Sequence, residues 1–160
     1  MDSNDSQDRI KFIWSDIWLL QAIATAAGEQ STELTKVISA GDAIMHAILN
    51  YEEVEFGLSK LIDAGYVIVE AGRLSISPQF YPTYKNLTRR SRTWMGVNKK
   101  LEEFLQAEPY PARNPSKELV APIFSPEEYV EAIQQYCKQT CEIFRSMFCS
   151  KKKSKQRPKE

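Results

Sequence analysis

His46 is the sole histidine of this 160-residue chain, and it stands four residues after Asp42. On a helix that spacing lets a carboxylate orient an imidazole; a single histidine excludes a multi-histidine metal centre and leaves any catalytic triad dependent on this one residue. The pair therefore reads as a structural hydrogen bond near a turn between helices. Three cysteines are present, with Cys137 and Cys141 four apart on one expected helix. An odd count at helical spacing does not fit a secreted disulfide framework; these thiols read as small buried hydrophobes in a reducing compartment. No glycine loop of the phosphate-cradling kind occurs. The expectation is a protein that is not an enzyme, with neither a cofactor nor a bound metal.

Charge is the other source of chemistry, and its zero net value hides an asymmetry. Residues 1–80 hold 12 acidic and 5 basic side chains, net −7, whereas residues 81–160 hold 9 acidic and 16 basic, net +7. Read as one helix, the segment Tyr84–Leu105 collects Leu87, Trp94, Val97, Leu101, Phe104 and Leu105 on one face. The opposite side then carries Lys85, Arg89, Arg92, Lys99 and Lys100 as a cationic stripe. Such a stripe is either a solvated face or a contact for a nucleic-acid backbone or an acidic protein surface, including a second copy of this chain.

The elements that must position these groups follow from local signals. Ser15 can cap a helix over Asp16–Ala27 that Gly28 ends, and a second helix starts after Ser31 or Thr32, buries Leu34, Val37 and Ile38, and breaks near Gly41. Asn50 with Glu53 three residues on forms a capping box for a third helix over Tyr51–Ala64, closed by Gly65. Its apolar face is Val54, Leu58, Leu61 and Ile62, and projection places Glu52, Phe56, Ser59, Lys60 and Asp63 outward. Tyr66–Glu70 and Arg73–Ser77, joined by Ala71 and Gly72, read as a tight hairpin.

The run "ISAGDAIMHAILNYEEVEFGLSKLIDAGYVIVEAGRLSIS" resembles the winged helix-turn-helix superfamily, in particular the bacterial repressor-like branch in which a helix ending in "LxxxGyv" feeds the wing. The resemblance implies a mainly α fold with a small β-hairpin: a winged helix-turn-helix core plus two C-terminal helices. It also implies a DNA-binding transcriptional regulator, acting as a homodimer on double-stranded DNA, with Ser59 and Lys60 on the reading helix and Arg73 on the wing. The alternative is a winged helix that docks a protein partner through Glu52 and Phe56 and leaves DNA alone. An acidic third helix speaks for the alternative, because lysine and arginine normally supply the affinity for phosphates.

Residues 1–14 read as a polar N-terminal arm, 15–80 as the winged-helix core, 81–149 as a helical extension and 150–160 as a disordered basic tail. Four prolines exclude regular structure over 108–124, and Ser125, Pro126 and Glu128 then mark a strong helix start. That last helix runs to Phe148, and its 23 residues span roughly 34 Å at ~1.5 Å each, more than a small core needs. Val130, Ile133, Cys137, Cys141 and Phe144 on it are candidates for dimerisation. No run approaches the ~20 apolar residues of a membrane span, so no membrane partner and a cytoplasmic location are expected.

Overall fold

Helix formation at the centre of the chain rests on its caps. The Asn50 side-chain oxygen accepts from the Glu53 N–H at 2.9 Å, and the Glu53 carboxylate accepts from the Asn50 N–H at 2.8 Å, so two first-turn donors are satisfied reciprocally. At the far end Gly65 takes φ of 75°, which lets its N–H reach Ile62 O and the Tyr66 N–H reach Leu61 O, both at 2.9 Å. This paired closure frees the chain to turn back as a strand. The hairpin tip uses the same backbone freedom: Ala71 (φ 49°) and Gly72 (φ 72°) form a two-residue turn whose left-handed conformation matches the twist of paired strands.

The computed structural model describes residues 11–107 and 121–153. In chain order the elements are α1 (Trp14–Ala27), β1 (Thr32–Glu33), α2 (Leu34–Met45), α3 (Tyr51–Asp63), β2 (Val67–Glu70), β3 (Arg73–Ile76), α4 (Tyr81–Thr88), α5 (Trp94–Ala107) and α6 (Pro126–Lys153). The fold is mainly helical with a small antiparallel sheet in the order β1-β3-β2. Val69 and Thr32 both pair with Leu74, whose side chain is fully buried, so the middle strand carries the sheet's contact with the core. α1 is the central element: Leu19, Leu20, Ala22 and Ile23 are wholly buried, and it packs on α2, α3, α5 and β3. A helix contacted on so many sides needs apolar residues all round it, which its sequence supplies.

Several sequence expectations are corrected. α1 begins at Trp14 rather than Asp16. Ser15 is buried inside it, and Asp16 at the third position accepts from the Ile13 N–H at 2.7 Å. Phe12, assigned by sequence to the polar arm, lies in the core against Tyr66 at a ring separation of 6.0 Å. α2 passes through Gly41 to Met45, where the Trp18 indole packs beside the glycine and its N–H donates to Gly41 O at 3.1 Å. β1 is too short to be legible as a pattern. The expected helix over Tyr84–Leu105 is two helices, since the Thr93 hydroxyl accepts from the Gly96 N–H at 3.1 Å and starts α5 afresh. α6 extends to Lys153, so the first residues of the expected tail are helical; residues 1–10, 108–120 and 154–160, with the rest of the arm, proline segment and tail, lie outside the described residues.

Candidate functional surfaces

The exposed face of α3 is acidic. Glu52, Phe56, Ser59 and Asp63 point to solvent, and Phe56 at its centre is 68% exposed. Lys60, expected on this face, turns inward: its ammonium meets the carboxylate of Asp16, which is 1% exposed. The first half of α3 is further engaged by the chain just ahead of α6. Both oxygens of Glu55 accept backbone N–H groups, from Ile123 and Phe124 at 2.8 Å each, and the Tyr51 hydroxyl donates to Phe124 O at 2.9 Å. Phe124 is buried, so this strap is part of the core and not a loose crossing. Glu55 carried no sequence signal, because its partners are backbone groups some seventy residues away.

Arg73, expected to serve the wing, is occupied within the sheet. Its guanidinium donates to Ser31 O and Ser31 Oγ at 2.9 Å and to Glu33 Oε1 at 3.2 Å, tying β3 to β1. Of the expected stripe, Lys85 donates to Glu29 at 3.2 Å and sits 5.4 Å from the Tyr81 ring centroid. The Glu29 hydrogen bond raises the Lys85 pKa above its ordinary value. Lys99 pairs loosely with Glu103, and Lys100 is only half-exposed. Because the helix breaks, the cations form no continuous stripe. They gather instead at the α4–α5 turn, where Arg89, Arg90 and Arg92 are exposed beside Trp94 and Met95. Arg90, Trp94 and Met95 were not legible as a group in the sequence, because a continuous helix would have put Arg90 and Trp94 together on its apolar face and turned Met95 away from them.

α6 begins as expected, with Ser125 Oγ accepting from the Glu128 N–H at 3.1 Å and the Glu128 carboxylate from the Ser125 N–H at 2.7 Å. Its first half packs on α2 through polar anchors, Tyr136 donating to Asp42 and Thr35 to Gln135 at 3.2 Å, and reaches the turn ahead of α3, where Tyr129 donates to Leu49 O at 2.6 Å. The Asp42 carboxylate thus serves Tyr136, and Asp42 meets His46 through the backbone bond that closes α2 at 2.7 Å. Cys137 and Cys141 are exposed, against the expectation of buried thiols, because they lie off the face that meets α2. Val130 and Phe144 are exposed and Ile133 is half-buried. Among the described residues no helix is long and apolar enough to cross a membrane, and no cluster of His, Cys, Asp and Glu is placed to hold a metal ion.

Comparison with protein-family models, curated proteins and solved structures found no match.

Proposed function

We propose that this chain is a winged-helix protein-interaction module whose α3 face receives a partner protein. The observation that carries the reading is Phe56, 68% exposed at the centre of a face otherwise made of Glu52, Ser59 and Asp63. Three helices followed by a hairpin, with β1 completing the sheet in the order β1-β3-β2, support the winged-helix assignment. The chemistry of the face fits an apolar pocket rimmed by lysine or arginine. It is poorly suited to duplex DNA, whose phosphates would meet like charge while the one lysine of the helix is held on Asp16. A photoreactive benzophenone residue placed at position 56 tests this in the source cells. Irradiation should give a protein adduct; an adduct with DNA would overturn the reading.

A second reading has its own observation, the grouping of exposed Arg89, Arg90 and Arg92 beside exposed Trp94 and Met95. On that reading the chain is a DNA-binding regulator that holds double-stranded DNA by its backbone at the α4–α5 turn. Ser59 would then offer what little base contact α3 allows. Fluorescence anisotropy with a labelled duplex at ~50 mM salt, where backbone-driven affinity is near its strongest, should show binding; none there would dismiss this reading.

A further inference from the structure

Between Glu70 and Glu102 the chain holds no acidic residue. Arg89, Arg90 and Arg92 lie within that run, all exposed, and among the described residues none of them pairs with a carboxylate. Glu29, which reaches α4 from beyond the end of α1, is taken by Lys85. The turn that carries the three arginines is held by its own backbone: the Ser91 N–H donates to Thr88 O at 2.9 Å, and the Val97 N–H to Thr93 O at 3.1 Å. A Cβ built at Gly96 lies 3.7 Å from Ser91 Cβ, so the link rests against the first turn of α5, whose dipole adds positive charge at the same place. Two apolar side chains stand among these charges, Trp94 at 48% exposure and Met95 at 72%. On the α4 side a cleft of about 370 Å³ is lined by Lys85, Asn86, Thr88 and Arg89, so Arg89 borders both cleft and turn.

A polyanion matches the charge, and the indole decides its form. Duplex DNA keeps its bases stacked inward and presents sugar and phosphate to such a turn, which sets the indole against charged oxygens. A single strand offers the flat face of an unpaired base, which an exposed indole covers while neighbouring guanidiniums hold the phosphates. An anionic bilayer would use the same charges, but it is bound through the long apolar face of a helix, and here only Trp94 and Met95 would enter it.

Resting on the second reading's assignment of nucleic acid to this surface, we propose that the α4–α5 turn binds single-stranded nucleic acid, with a base stacked on Trp94 and phosphates on Arg89, Arg90 and Arg92. The α3 face stays free for a protein partner. Fluorescence anisotropy of the full chain at ~50 mM salt compares labelled oligothymidylate, oligouridylate, an abasic strand of the same length and a duplex. The better of the two base-bearing strands should bind about tenfold more tightly than the abasic strand or the duplex, the worth of a stacked base, and which one it is tells DNA from RNA. Trp94→Leu, at an exposed side chain, should remove that advantage with far-ultraviolet circular dichroism unchanged, and Trp94→Tyr should restore most of it. Equal affinity for single strand and duplex would overturn the proposal and leave the second reading standing, whereas no binding to any of the four would sink both. An advantage that survives Trp94→Leu, or binding to phosphatidylserine vesicles in place of the strands, would also overturn the proposal.

Discussion

The ammonium of Lys60 on α3 rests on the carboxylate of Asp16 on α1, and that carboxylate also accepts from the Ile13 N–H at 2.7 Å. One buried acid thus starts α1 and holds α3 against it. Lys60 keeps 19% of its side-chain surface exposed and Asp16 only 2%, so the two ends of the pair answer differently to substitution.

Lys60→Ala is expected to destabilise the fold by about 3 kcal/mol, because it strands a charge that cannot reach water. Asp16→Ala leaves a lysine able to extend toward solvent, and its cost falls instead on the start of α1. Denaturant midpoints for the two variants check this. Any loss of binding by Lys60→Ala then has to be corrected for unfolding before it is credited to recognition.

Asn50→Ala should cost about 1 kcal/mol, since it removes the acceptor of the Glu53 N–H from the start of α3. The companion bond from the residue-50 N–H to the Glu53 carboxylate survives, so urea denaturation should show a shifted midpoint with an unchanged slope.

Gly57 is buried where α3 packs on α1. A Cβ built there lies 2.8 Å from Leu19 Cδ2 and 3.2 Å from Asp16 Oδ1. Gly57→Ala gains helix propensity but must push aside a fully buried leucine, and the crowding of a packed core should win by about 1–3 kcal/mol. A midpoint equal to or above wild type would show that Leu19 has another rotamer to use.

Alkaline pH reaches the α4 and α6 contacts through their tyrosines. Burial pushes the Tyr84 phenol up to about 12, with help from Tyr81, and the hydrogen bond to Asp42 is the main reason Tyr136 is raised above its ordinary 10.0. A raised folded value favours the protonated form in the native state. The stabilisation is therefore complete below the ordinary value, about pH 10, and is lost as pH rises through the folded values. Tyr136→Phe should lower stability by about 1 kcal/mol at neutral pH and reduce the alkaline decline, as chemical denaturation across pH would reveal.

Legibility in the sequence followed the range of the signal. The start and stop of α3, the hairpin tip and the start of α6 were readable because Asn50, Gly65, Ala71–Gly72 and Ser125 act on neighbours within a few residues. The α4–α5 break was equally local, yet apolar periodicity across it outweighed a single threonine cap at Thr93. Gly41 misled in the other direction, since a glycine serves a helix when an indole packs on it. The direction of Lys60 lay beyond local reading: a projection at roughly 100° per residue gives a side chain's face but not the buried acid that draws it back. Glu55 and the thiols of α6 failed for the same reason, their settings being decided by elements far along the chain.

The cationic turn separates backbone binding from readout. Arg89 and Arg92 are exposed, so reversing their charge should leave folding intact. If the turn holds DNA phosphates, Arg89→Glu with Arg92→Glu should weaken binding to every duplex alike and reduce the salt slope by roughly one unit for each phosphate no longer neutralised. Ser59→Ala, on the exposed face of α3, should leave that slope alone and alter only the order of preferred sequences. Anisotropy titrations of both variants over a salt series measure the two quantities together. A salt slope unchanged by the double reversal would remove the turn from DNA binding, and with it the observation that sustains the second reading.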